Sequence, residues 1–223
     1  FMKKFFLPFL GLIALFLGLN NLNLRQEIQK LTAQNKVIEV IDGDSLTLAS
    51  KQRVRLANLD APELEFCGGI EAKNKLESLT LNKTVRLEII GHDNLNRSIS
   101  LVYVDNTLVN EIILKEGWAR YDGSPSPEKE KLKQAYDYAF ENRLGIFSPL
   151  CFSEEPPSPK CLIKGNVDRH YGQKTYHFPG CSGYPQVMVE KDLGEDWFCS
   201  EKEAEKAGFT KSKNCYGKIY VPI

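Results

Sequence analysis

Net charge is the first thing this chain lacks: 29 lysines and arginines balance 29 aspartates and glutamates. A neutral molecule projects no overall field to steer a polyanion, so any polyanion site must be local and basic. Histidine is scarce, at three residues, His92, His170 and His177, and none falls in a histidine-metal pattern. The six cysteines are never two residues apart as C-x₂-C, which weakens any zinc reading. No internal repeat is evident, so a repeat architecture is excluded. A hydrophobic fraction of 42% is slightly below the globular norm and still predicts a folded protein, not a disordered one.

The 223 residues suffice for one ordinary domain and something smaller. Lys3 and Lys4 precede an apolar run from Phe5 to Leu19, a basic segment followed by a hydrophobic one. No A-x-A site follows the run. Residues 1–24 are therefore expected to be a signal peptide or, by preference, an uncleaved signal anchor, with Leu22 and Leu24 extending the span. Residues 25–35 read as a linker or short juxtamembrane helix. Either reading exports the bulk of the chain and contacts a membrane through the N-terminal segment. Outside the cell thiols oxidise, and an even number of cysteines predicts disulfides.

From Val37 the apolar period becomes two. The segments KVIEVIDG, DSLTLAS, QRVRLANL, KTVRLEII and ISLVYVDN predict five short strands. Three helices are predicted: about Glu71 to Thr80, Val109 to Glu116 stopped by Gly117, and Glu128 to about Arg143 stopped by Gly145. Five strands with a helix between the third and fourth match a five-stranded OB-fold barrel, an α+β, mainly β architecture, over residues 36–152. The Pro- and Ser-rich stretch at 153–160 reads as a linker. Residues 161–223 form a small module holding four cysteines, which a segment of this size needs as staples.

Five charged residues stand out in three strings: Asp44 in VIDGDSL, Arg55, Asp60 and Glu63 in RLANLDAPE, and Arg97 in NRSIS. Carboxylates can hold a hard divalent cation. Arginines can clamp phosphate oxygens bidentately. A further carboxylate can orient or deprotonate a water. Each residue alone also fits a plain structural role: Asp42-Gly43-Asp44 a hairpin turn, Asp60 to Glu63 a turn before a helix, Arg55 and Arg97 surface charges. His92 reads as a surface residue.

These strings, in this order, resemble the motifs of the staphylococcal nuclease (thermonuclease) family over Val37 to Ser148. The resemblance implies an OB-fold and a Ca²⁺-dependent nuclease acting on DNA and RNA without sequence specificity. It implies that Asp44, Asp60 and the Ala61 carbonyl ligate calcium, that Glu63 attends the attacking water, and that Arg55 and Arg97 bind the phosphate. Cleavage on the 5′ side, leaving 3′-phosphates, is implied as well. Tyr121 lies where the family places tyrosines against the nucleotide, and equally suits a core position. The stretch Asp93 to Asn96 lacks the lysine and tyrosine that the best-known member uses to contact the nucleotide. Ala61 replaces its threonine.

The C-terminal segment resembles the small module called a sunset domain. Its four cysteines allow three pairings. The favoured set is Cys161–Cys199 and Cys181–Cys215, with Cys67–Cys151 in the barrel. The rival is a zinc site of Cys181, Cys199, Cys215 and His177 or Cys161. The expected protein is an exported, monomeric nuclease. Its alternatives are a catalytically inactive OB-fold that binds nucleic acid or a surface, and a wall-binding module with a vestigial barrel.

Overall fold

The computed structural model describes residues 22–27, 29–169 and 171–221. The signal or anchor segment therefore lies almost wholly outside the described residues. Residues 22–27 and 29–34 are helical, and no described helix is long and apolar enough to cross a membrane.

Alternation of buried and exposed residues builds the main sheet. Strands β1 (Val37–Val40), β2 (Ser45–Leu48) and β3 (Arg53–Leu56) form an antiparallel meander. A helix α1 (Gly69–Thr80) then carries the chain to β5 (Arg86–His92), which hairpins into β6 (Ser98–Val104). Strand β6 lies parallel to β3, with Val54 opposite Ser98 and Leu56 opposite Ser100. The order is β1-β2-β3-β6-β5, with β7 (Thr107–Leu108) appended to β6. A separate two-stranded ribbon joins β4 (Leu59–Asp60) to β8 (Arg120–Tyr121). Helices α2 (Val109–Lys115) and α3 (Lys129–Glu141) pack on each other and cover the core, where Leu46, Val54, Leu101, Ile113 and Leu132 are fully buried.

The five expected strands and three helices are present, but the described residues form no closed barrel. Between the sheet edges β1 and β5 there is one bridge, Lys36 to Thr84. Antiparallel to that bridge, β5 runs on past residues 29–34, which are helical and offer it no strand, and Ile89 and Ile90 on β5, like Ile38 on β1, stay exposed.

Residues 161–221 contain a second core around Ile163, Tyr176, Phe178 and Phe209. Its sheet runs β13 (Trp197–Phe198), β10 (Ile163–Val167), β11 (Lys174–His177), β14 (Thr210–Lys211). Gly165 lets the rings of Phe198 and Phe209 lie directly on the backbone: a Cβ there would stand 2.8 Å from Phe209. Helix α4 (Glu201–Lys206) is capped by Ser200, whose hydroxyl accepts from the Glu203 amide at 3.2 Å, while the Glu203 carboxylate accepts from the Cys199 amide just before the cap at 2.9 Å. The cysteines pair as Cys67–Cys151, Cys161–Cys199 and Cys181–Cys215, and none is free. The favoured pairing thus holds, and the zinc alternative loses its ligands because no thiolate remains to bind metal.

The two parts are joined around the first disulfide. Strand β9 (Phe152–Ser153) pairs with β12 (Val189–Glu190). Lys191 donates its amide to the Cys151 carbonyl at 2.9 Å, and Arg120 makes a two-pronged contact with Asp192, at 2.6 and 2.9 Å.

A buried amide locks α2 to the sheet. The Asn110 Oδ1 accepts from the Val102 amide at 2.9 Å, and its Nδ2 donates to the carbonyls of Ala57 at 2.9 Å and Ser100 at 3.2 Å. Removing it strands the buried Val102 N–H, which costs about 1–3 kcal/mol. Asn110→Ala should lower stability by that amount in urea unfolding. A loss below about 0.5 kcal/mol would show that the clamp is dispensable.

Candidate active site

The site forms where the β1–β2 turn, β3, the β4–α1 segment and the β5–β6 loop meet. The β1–β2 turn is drawn inward by Gly43. A Cβ on Gly43 would lie 2.6 Å from the Cβ of both Ala61 and Ala72, so only glycine lets the turn seat between the Asp60 loop and α1. Asp42 stabilises the turn by accepting the Asp44 amide at 3.0 Å. Asp44 is thereby carried inward and is 3% exposed.

Arg55 ties the carboxylates together. Its Nη1 donates to Asp44 Oδ1 at 2.9 Å and its Nη2 to Asp60 Oδ1 at 2.5 Å. The second oxygen of Asp44 accepts the Ala61 amide at 3.2 Å. Ala61 thus meets Asp44 through its N–H. Burial pushes the Asp44 carboxyl from 3.8 up to about 6, with Arg55 pulling it down and Asp42 adding to the rise.

Two residues that sequence reading passed over connect Arg97 to this pair. Ser45 donates its hydroxyl to Asp44 Oδ1 at 2.7 Å and accepts from Arg97 Nη1 at 3.2 Å. Asp93 accepts from the amides of Leu95 and Arg97 through Oδ1, each at 2.9 Å, and from Arg97 Nε through Oδ2 at 2.6 Å. Those bonds hold the Asp93 carboxyl below its usual range. An Asp opening an Asp-Asn turn was the available signal, since such side chains bond their own backbone two residues on. The polar chain reads Arg97, Ser45, Asp44, Arg55, Asp60.

Glu63 stands beyond Asp60, exposed, and its side chain has no hydrogen bond among the described residues. Its backbone is fixed by α1: a Cβ at Gly69 would stand 2.1 Å from the Glu63 carbonyl oxygen. Asp60, Glu63, Phe66, Arg120, Asp192 and Leu193 line a cleft of about 140 Å³, so the C-terminal part supplies one wall. Arg120, opposite Asp60 across the β4–β8 ribbon, lines this cleft, and Tyr121 does not. The Tyr121 ring packs with Tyr136 at 6.3 Å, against the core. His92 is exposed, at the end of β5. His177 is buried in the second core region, with its Nδ1 unpartnered.

The donor chemistry suits a hard divalent cation, because Asp44 and Asp60 present oxygens to one cationic group, presently Arg55. Among the described residues no group of three or more His, Cys, Asp or Glu side chains is arranged to hold a metal. The side chains offered to such an ion would be the two carboxylates, with backbone or water to complete the shell.

A sheet with two helices over its core, bearing carboxylates and arginines on linked loops, defines a protein with the side chains to engage a phosphate ester. The family model described as Staphylococcal nuclease homologue matches residues 53–149, which include Arg55, Asp60, Glu63 and Arg97. A micrococcal nuclease of Shigella flexneri is 33% identical over 133 residues, 52% of this chain and 74% of that protein. An endonuclease of Haemophilus influenzae is 36% identical over 98 residues, 41% of this chain and 55% of that protein. A probable staphylococcal-like nuclease of Oryza sativa is 34% identical over 94 residues, 40% of this chain and 24% of that protein. The chain belongs to the staphylococcal nuclease homologue family.

Two predictions follow from the packing and charge of the site. Gly43→Ala forces its methyl into Ala61 and Ala72 and should cost about 1–3 kcal/mol by overpacking, read by thermal and urea unfolding. The second concerns pH. The folded Asp44 holds its proton up to about 6 while the unfolded chain releases it near 3.8. Its contribution is therefore full below about pH 4 and lost as pH rises through about 6, amounting to about 3 kcal/mol. Urea unfolding in EDTA from pH 4 to 7.5 should show Asp44→Asn gaining on wild type by that amount across the window. Glu195, which burial pushes up to about 7, has the same sign and persists in both proteins. A stability difference that does not vary with pH would refute the assignment.

Proposed function

We propose that the protein is a Ca²⁺-dependent nuclease that hydrolyses phosphodiester bonds of DNA and RNA. The observation that carries this reading is the single polar chain joining Arg97, Ser45, Asp44, Arg55 and Asp60, with Glu63 unpaired beside it. Its relatives named nuclease and endonuclease support it.

Asp44 and Asp60 would hold the ion, which supplies Lewis-acid polarisation of the phosphodiester and a bound water. Arg55 and Arg97 present guanidinium donors to phosphoryl oxygens, stabilising the charge that develops in the transition state. Arg55 can serve the phosphate only by giving up carboxylate contacts it now makes. Asp93 and Ser45 hold Arg97 in place. Glu63 orients the attacking water or takes its proton. The three disulfides support export to an oxidising compartment, with the N-terminal segment as signal or anchor. A neutral molecule with no base-reading motif fits substrates taken without sequence specificity, by a chain acting as a monomer.

The test is cleavage of single-stranded DNA and RNA by oxidised protein, with Ca²⁺ or with EGTA. Cleavage should require Ca²⁺, and Glu63→Gln and Arg97→Ala should each lower kcat by about 10²–10³-fold. Folded protein that leaves both substrates intact at millimolar Ca²⁺ would overturn the nuclease reading and leave the binding module as the best account.

A further inference from the structure

A second cleft, of about 320 Å³, opens beside the site and is lined by Lys51, Gln52, Arg53, His92, Leu95 and Asn96, together with Ser98. No carboxylate lines it. Lys51, Arg53 and His92 make no ion pair among the described residues, whereas Arg55, Arg97 and Arg120 are all paired. In a chain of zero net charge a polyanion site must be local, and Lys51 and Arg53 converge there as unpaired cations with the His92 imidazole beside them.

The fold places this cleft deliberately close to the catalytic arginines. The parallel pairing of β3 with β6 sets the β2–β3 turn against the β5–β6 loop. Gln52 Nε2 donates to Ser98 Oγ at 3.0 Å and ties the two together. Lys51 and Asn96 both hold left-handed backbone, at φ 70° and 57°, which fixes the two turns that form the rim. Along β3 the exposure alternates, so Arg53 leaves the same face as Arg55, about 7 Å away at two residues' rise. Arg97 adjoins Ser98 on the other side. Leu95, 66% exposed, offers an apolar surface at the rim.

We propose that this cleft is a phosphate-binding subsite for the strand that extends beyond the scissile bond, with Lys51 and Arg53 contacting successive backbone phosphates. It would supply from the β2–β3 turn the cationic contacts that the Asp93 to Asn96 loop lacks. Sugar or base would rest on Leu95. The ligand class is the backbone of single-stranded nucleic acid, and the inference rests on the nuclease reading above for its substrate.

The experiment separates the two. Fluorescence anisotropy of a labelled single-stranded DNA 12-mer is measured in EDTA, where no turnover occurs, for wild type, Lys51→Gln/Arg53→Gln and the control Lys206→Gln. All three positions are exposed, so the fold is retained. The double variant should bind about tenfold more weakly, and its log Kd against log salt should flatten by about 1.4, or about 0.7 per lost phosphate contact on a single strand. The control should match wild type. Equal affinity and equal salt slope in wild type and double variant, or no binding by wild type, would overturn the subsite. Wild type that binds in the expected way but does not cut with Ca²⁺ would support the subsite and overturn the nuclease reading instead.

Discussion

The Arg55 guanidinium lies between two carboxylates, and the rest of the site is arranged around that contact. Asp44 is almost fully buried, and a buried carboxylate is costly unless it is paired and hydrogen-bonded. Arg55, Ser45 and the Ala61 amide supply three partners, yet burial still dominates and raises the carboxyl. The same guanidinium reaches Asp60, on a different loop, so that one charge sets the separation of the two acids.

Steric fit brings the loops close enough for that contact to form. Gly43 seats the first aspartate's turn against Ala61 and Ala72, and Gly69 seats the start of α1 against the Glu63 backbone. Small residues at these two points let the first turn, the Asp60 loop and α1 come close together. Arg97 arrives by another route. Asp93 folds its loop and holds its Nε, while Ser45 passes its contact on to Asp44. Charge, turn chemistry and close packing therefore act on one cluster from three directions.

The C-terminal part is joined to this arrangement, not merely appended. Its strand β12 pairs beside Cys151, its Lys191 and Asp192 reach the first part, and Leu193 walls the cleft of Glu63. Trp197 adds an indole N–H to Ser153 at 3.0 Å. A small core that needs two disulfides of its own thus completes a surface of the larger one.

The amino-acid order determined what depends on near neighbours. Alternating Val, Leu and Ile segments fixed the five strands, Gly117 stopped the second helix, and the strings around Asp44, Arg55, Asp60, Glu63 and Arg97 showed which chemistry was assembled. Barrel closure was not legible, because it depends on whether β1 and β5 pair along their length, and a period of two is identical in open and closed sheets. Nor could periodicity tell that Tyr121 faces a tyrosine in the core while its neighbour Arg120 faces the cleft. Ser45, Asp93 and Asn110 escaped notice because a serine, aspartate or asparagine gains its role only from partners brought near by folding. The cluster of Lys51, Arg53 and His92 has the same origin. Its members lie up to 41 positions apart in the chain, and only the parallel pairing of β3 with β6 sets them around one cleft.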